Sequence, residues 1–310
     1  MVPAVHGGGG GAGMTGPAAT ARTAARRSEL RWPGLRSVYC WSPPTGAVTV
    51  SGEQQIGVSF AEHHGVVIES GGRSDRFDIR PGDVFANGRS RVYWSEVVRP
   101  DELVEMYPYD DLLRAAAGSS RTPEIEPLRG VRDAVVLGAA SLLKRAHVGA
   151  AHVDTVRASS LARRLAEHVV GHYAGIAPPS RALTGRLDRV LLSRVADLVE
   201  ARLGDPLTVD DLAAAVALSP FHFARAFKAT TGLAPHEYVT SRRMERAKTL
   251  LVNGRLSVPQ VAYSVGLSNV SHFRRMFRRH TGFLPSDLRP HENRRIGPSH
   301  DGRGSVKLGA

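Results

Sequence analysis

Hydrophobic and polar positions along the chain change rhythm twice, and each rhythm predicts a different kind of element. Between about residues 38 and 98, short runs rich in β-branched and aromatic residues recur at 47–50, 56–60, 65–69, 76–79 and 92–94. Turn formers separate them, namely Gly71-Gly72, Pro81-Gly82-Asp83 and Asn87-Gly88. Many short strands with regular turns predict a small antiparallel barrel or sandwich. Two helical segments follow. Residues 134–147 are apolar around much of the circumference, and 155–173 place Leu161, Leu165, Val169 and Tyr173 four apart. Such a stripe must be buried, either on the β-rich part or against the same helix of a second chain.

The last third carries an internal repeat. Leu207, Val209, Ala213, Val216, Leu218 and Ser219 match Leu256, Val258, Ala262, Val265, Leu267 and Ser268. After one inserted residue, His222, Phe223, Arg225, Phe227, Thr231, Gly232 and Pro235 match His272, Phe273, Arg275, Phe277, Thr281, Gly282 and Pro285. Each unit predicts a helix, a tight turn and a second helix. Thr208 and Ser257 are placed to cap the first helices, and Ser219 and Ser268 the second ones. Ala213 and Ala262 are small where two helices must cross. Gly266 supplies a turn conformation that a side chain resists, and Ala217 takes that place in the first unit. Phe223 with Phe227, and Phe273 with Phe277, sit one turn apart and pin each second helix to the core.

Outward positions of the second helices carry His222, Arg225 and Lys228 in one unit and Ser271, Arg274, Arg275 and Arg278 in the other. This is the layout of a helix-turn-helix that lays its second helix in a major groove of double-stranded DNA. Arginine can bond bidentately to guanine, whereas lysine and the outer arginines suit phosphate. The bland reading is a pair of amphipathic hairpins with solvated basic faces. Charge distribution bears on the choice. Residues 1–180 hold 20 Lys and Arg against 18 Asp and Glu, whereas residues 181–310 hold 21 against 11. The basic excess therefore belongs to the repeat-bearing part, which points to a polyanionic partner. Between the units, Tyr238, Arg242, Ala247 and Leu250-Leu251 keep helical register over about residues 235–251. A rod of that length spans roughly 25 Å. With the width of each unit added, the two reading helices reach successive grooves about 34 Å apart.

With these residues in view, 187–290 resembles the double helix-turn-helix domain of the AraC family of bacterial transcription regulators. The carriers are the repeat, the stretch Arg242-Arg243-Met244-Glu245-Arg246-Ala247 with Leu250-Leu251, Val261-Ala262 with Val265-Gly266-Leu267-Ser268, and the closing Gly282, Pro285 and Arg289. The resemblance implies that Phe221, Ala224 and Arg225 face DNA in the first unit, and Val270, Ser271, Arg274 and Arg275 in the second. Two residues depart from the family pattern: Ala224 cannot hydrogen-bond a base, and Leu288 stands where an aromatic is common. The β-rich half is similar to the family's cupin-type sensing domain followed by dimerising helices. The resemblance implies a homodimer, a small-molecule effector and RNA polymerase as a partner.

The expected fold is α+β: an amino-terminal cupin-like antiparallel β-barrel with a helical dimerisation segment, then an all-α domain of two helix-turn-helix units. The expected divisions are a disordered segment (1–34), the sensing domain (35–115), the dimerisation segment (122–176), a linker (177–186), the DNA-binding domain (187–290) and a flexible tail (291–310). Pro178-Pro179 marks the linker, and the glycines at 7–11 mark the disordered start. Met14 offers a second start site.

No cofactor, metal site or enzymatic activity is expected. His63 and His64 are adjacent, so in a strand they point to opposite faces and cannot both line one cavity. The single cysteine, Cys40, excludes an internal disulfide or a cysteine cluster. No apolar run is long enough to cross a membrane and no secretory pattern opens the chain, which places the protein in the cytoplasm. The alternative function is a cupin-type small-molecule-binding or metabolic protein whose basic domain binds nucleic acid without sequence preference.

Overall fold

The computed structural model describes residues 25–43, 49–51, 54–70, 73–88, 92–95, 99–176 and 185–289. Among the described residues, ten strands precede or interleave with the first helices. β1 (Arg26–Trp32), β2 (Leu35–Ser42), β9 (Asp101–Pro108), β4 (Ile56–Ser59), β7 (Asp83–Ala86) and β10 (Leu128–Arg132) form a six-stranded sheet in that order. β3 (Thr49–Ser51), β8 (Val92–Ser95), β5 (His63–Ser70) and β6 (Arg73–Ile79) form a second sheet in the same manner. Every paired ladder is antiparallel, as the expected barrel or sandwich requires. No ladder joins the two sheets among the described residues, so the expected closed barrel is not found there.

Two boundaries differ from expectation. β1 lies inside the segment expected to be disordered. Its alternating polar residues gave little apolar signal, but the turn at Pro33-Gly34 folds it back along the whole of β2. Residues 1–24 of that segment, residues 177–184 of the linker and the tail 291–310 lie outside the described residues. β10 lies within the segment expected to be helical, because Val131 and Arg132 pair across to Val84 and Asp83 of β7.

Helix α1 (Asp110–Ala117) follows the sheet, then α2 (Ala134–His147) and α3 (Thr155–Tyr173). A helix that is apolar on all sides must be buried on all sides, and α2 is buried at every residue from Ala134 to Lys144. Asp133 caps it, accepting from Val135 N at 2.9 Å and Val136 N at 3.0 Å. The same carboxylate accepts from His168 Nε2 at 2.6 Å and Tyr173 Oη at 2.5 Å, which ties α3 to the start of α2. The stripe Leu161, Leu165, Val169 and Tyr173 is buried within this chain. Of the two docking modes left open by the sequence, the intramolecular one is therefore taken.

Six further helices follow among the described residues: α4 (Arg189–Ala201), α5 (Val209–Ala214), α6 (Pro220–Thr231), α7 (Pro235–Val252), α8 (Val258–Ser264) and α9 (Val270–Thr281), with a 3-10 turn at Pro285–Asp287. One continuous cluster of buried apolar side chains runs from the six-stranded sheet through α2 into these helices. Trp41 of β2 packs on Phe283, with ring centroids 5.2 Å apart.

A four-charge cluster lies across this junction. Lys144 of α2 reaches Glu245 of α7 at 2.7 Å and Glu102 of β9 at 2.9 Å. Lys248 of α7 pairs with Glu245 at 3.0 Å, with Glu102, and with the carbonyl oxygen of Phe60. All four side chains are buried. Tyr39 donates to Glu102 at 2.9 Å, and the Lys144 ammonium lies 4.2 Å from the centre of the Phe60 ring. Burial alone would raise the Glu245 carboxyl, but the two ammonium groups override it and hold it at about 2.

Removing one member of a closed buried set leaves an uncompensated charge. Lys144→Met is expected to lower stability by about 3–5 kcal/mol in urea unfolding. A loss under about 1 kcal/mol would mean that the cluster behaves like exposed ion pairs.

Acid dependence has a separate source. Burial, then the neighbouring Arg145 guanidinium, push the His280 imidazole down to about 4. Burial likewise pushes His147, which sits 2.9 Å from both Ser28 Oγ and Ser37 Oγ, down to about 4. The unfolded chain takes up these protons near pH 6.5, whereas the folded chain refuses them until about pH 4. Stability therefore falls as pH falls through that window, and is fully present above it. His280→Gln is expected to recover about 1–3 kcal/mol of the loss between pH 6.5 and pH 4. An unchanged pH profile for the variant would remove His280 as a source.

Candidate nucleic-acid interface

Each unit is assembled by local rules. Thr208 and Asp211 cap α5 reciprocally, with Asp211 N donating to Thr208 Oγ1 at 3.1 Å and Thr208 N donating to Asp211 Oδ2 at 2.8 Å. Ser257 and Gln260 do the same for α8, Ser257 N donating to Gln260 Oε1 at 2.8 Å. The turns then need a left-handed residue, supplied by Ala217 at φ 54° and Gly266 at φ 74°. Alanine holds that conformation less readily than glycine.

The second helices start one residue apart in the repeat. Ser219 caps α6, accepting from His222 N. In the second unit the cap is Asn269, which accepts from His272 N at 2.9 Å, and the expected cap Ser268 is exposed outside the helix. The inserted residue thus moves the cap from serine to asparagine, an equally good acceptor. Behind each helix the pinning pair is buried. Phe223 and Phe227 lie 5.5 Å apart at 44°, and Phe273 and Phe277 lie 5.5 Å apart at 45°. Thr231 and Thr281 close both helices alike, each donating to the phenylalanine carbonyl four residues back at 2.9 Å. The two units therefore share one geometry, although more than half of their residues differ.

The expected site residues fall on the open faces. Phe221 is 72% exposed. His222, Arg225 and Lys228 are exposed on α6, as are Ser271, Arg274, Arg275 and Arg278 on α9. Val270 and Ala224 are half-buried, at the edge of each face. Arg279, also exposed, extends the α9 face one turn beyond Arg275, and the i, i+4 spacing would have singled it out. His222 is less free than its exposure implies, since its Nδ1 lies 2.9 Å from Ser219 Oγ.

Among the described residues, none of Arg225, Lys228, Arg274, Arg275, Arg278 and Arg279 is paired with a carboxylate. The neighbouring arginines behave differently. Arg242 donates to Glu200 and to the Pro81 carbonyl at 2.9 Å, and Arg243 donates to the Leu203 carbonyl at 3.0 Å. Arg242 and Arg243 thus bond groups within the fold, whereas the cations on the exposed faces of α6 and α9 have no carboxylate partner. Arg278 and Arg279 also complement the partial negative charge at the end of α9. His63 is buried and bonded to Asp101 at 3.0 Å while His64 is exposed, so the two do point apart. No group of three metal-ligating side chains occurs among the described residues.

A family model described as a helix-turn-helix domain matches residues 212–291. The HTH-type transcriptional regulator YijO of Escherichia coli is 32% identical over 110 residues, which cover 36% of this chain and 39% of that protein. An AraC-like transcription regulator of Streptomyces lividans is 35% identical over 141 residues, 44% of this chain and 46% of that one. Among solved structures, a transcriptional regulator with an AraC-type DNA-binding domain from Chromobacterium violaceum is 32% identical, covering 33% of this chain and 90% of that chain at a TM-score of 0.32. The chain thus spans under half the length of the curated relatives it matches. The carboxyl-terminal part is a double helix-turn-helix domain. It is similar to the helix-turn-helix parts of transcriptional regulators, an AraC-like one among them.

The shifted cap gives a direct check. Asn269→Ala is expected to lower stability by about 1 kcal/mol, whereas Ser268→Ala should stay within about 0.5 kcal/mol of the parent in thermal melts. Equal losses would return the cap to Ser268.

Proposed function

We propose that the protein is a sequence-specific, DNA-binding transcription regulator that inserts α6 and α9 into successive major grooves. The observation that carries this reading is the pair of equivalent reading helices whose exposed cations have no carboxylate partner. A polyanion supplies what those faces lack, and counterion release favours its binding. On α9, Arg274 and Arg275 are assigned to base edges, with Ser271 and Val270 beside them. Arg278 and Lys228 are assigned to phosphates. On α6, Arg225 is the base-reading candidate, flanked by Phe221 and His222, since Ala224 offers no hydrogen bond.

The proposal extends to the rest of the chain. The two antiparallel sheets are assigned to a cupin-like sensing domain. A shallow open cleft lies between that half and α7, lined by Trp41, Glu62, Arg99, Lys248, Val252 and Leu288 among others. A small effector held there would touch both halves, so it could favour one docking over another through differential affinity. No helix among the described residues is long and apolar enough to cross a membrane. A cytoplasmic homodimer that contacts RNA polymerase and performs no catalysis completes the reading.

Selection of duplex DNA from a random pool by the full chain, at two salt concentrations, tests it. A motif with two short blocks about one helical turn apart is expected. Salt-sensitive binding without a motif would instead favour a small-molecule-binding or metabolic protein with a non-specific basic domain. On the selected motif, Arg275→Ala should cost about 1–3 kcal/mol and relax preference at one or two base pairs, whereas Lys228→Ala should weaken all sequences alike and reduce the salt slope by about one. Uniform weakening by Arg275→Ala would remove its base-reading role.

A further inference from the structure

Helix α2 belongs to the amino-terminal half, yet it touches both reading helices at their carboxyl ends. At Gly138 its backbone runs so close to α6 that an added Cβ would lie 2.5 Å from the carbonyl oxygen of Thr231, the last residue of that helix. At Val148, the residue closing α2, it meets α9: a Cβ added to Gly282, the cap of α9, would lie 3.2 Å from Val148 Cβ. Between these two points Lys144 is bonded to Glu245 at 2.7 Å and Arg145 to Glu237 at 3.5 Å, both on α7, which joins the two units. The points are ten residues apart, or about 15 Å along a helix. Glycine weakens a helix interior relative to alanine, and here the approach of Thr231 leaves no room for a side chain. The opposite side of α2 is held as firmly along most of its length, since every residue from Ala134 to Lys144 is buried.

We propose that α2 is a splint that fixes the mutual orientation of the two reading helices, so that Gly138, Lys144 and Val148 act as positioning residues for the spacing of half-sites the protein accepts. The spacing part rests on the DNA-binding reading above; the splint itself does not. Without the splint, α7 alone would join the units, with α6 linked to it by the short turn 232–234 and α9 linked to it through α8. Rotation of α6 about Gly232, or of α9 about Gly282, is opposed by α2 at each helix end.

Two measurements on the full chain test this. The first uses no DNA. In a Cys40→Ser background, spin labels at His222→Cys and His272→Cys report the distance between the exposed starts of α6 and α9. A narrow distribution is expected for the parent. Gly138→Ala forces α6 back by about 1 Å to restore ordinary separation, and should shift or broaden the distribution. The second uses duplexes carrying the selected motif, with and without one base pair inserted between the blocks, which rotates one block by about 35°. The parent should lose about tenfold or more in affinity on insertion and Gly138→Ala less than about threefold, with binding to a single block unchanged.

Should Gly138→Ala fail to fold, Val148→Ala loosens the other end without adding atoms, and the same two changes are expected of it. A folded variant with the parent's distance distribution and the parent's spacing penalty overturns the proposal. So does a parent whose distribution is already broad. If no motif is selected, the regulator reading fails, and the distance measurement still decides whether α2 is a splint.

Discussion

Two lysines and two glutamates buried together are a demanding thing to place inside a protein, and the relation between the halves of this chain depends on them. Each isolated charge would cost several kcal/mol to desolvate. The set is tolerable only because it closes on itself: each ammonium touches both carboxylates, Tyr39 and the Phe60 carbonyl take up remaining capacity, and the ring of Phe60 faces Lys144. The members come from β9, α2 and α7, so no single element can leave without stranding the others. An apolar junction of the same size would slide more easily, because burial has no direction. A closed charge set fixes register as well as contact.

That constraint gives α7 two unlike faces. Arg242, Glu245 and Lys248 are buried toward the amino-terminal half, which is unusual for residues of these types. The ends of the same helix carry the two helix-turn-helix units. Arginine is accordingly used in two ways within one domain. Arg242 and Arg243 bond carboxylate and carbonyl groups within the fold, whereas the arginines of α9 have no carboxylate partner among the described residues and are proposed to serve recognition. Net charge alone could not separate these uses; the partners of each side chain do.

Much of the reading domain was legible because its rules are local. Caps, turn residues and the paired phenylalanines recur at short spacing, and their repetition within one chain gives an internal control. Even the error at Ser268 was local, since one inserted residue hands the cap to Asn269. The amino-terminal half was less legible for a physical reason. β1 has a weak apolar pattern, and both β1 and β10 are strands because a distant partner pairs with them. The charge cluster was invisible for the same reason. Glu102, Lys144, Glu245 and Lys248 are scattered along the chain, and Lys144 reads as a polar interruption in an apolar helix until α7 is placed beside it.

The fate of α2 follows from that nonlocal packing. Its apolar circumference was compatible with a dimer seam, because sequence shows that a surface must be covered but not what covers it. In the folded chain the sheet, α3 and the carboxyl-terminal helices bury it from Ala134 to Lys144. A helix enclosed in this way transmits displacement rather than absorbing it, because close-packed surroundings offer alternative arrangements and not a continuum. The six-stranded sheet, through α2, is therefore mechanically closer to the reading helices than the length of chain between them implies. A change in how that sheet docks would reach α6 and α9 at their carboxyl ends, the ends remote from the capped starts that carry Phe221, His222 and Ser271. On the splint proposal, the exposed faces of α6 and α9 would thus be reoriented without any residue on them being touched.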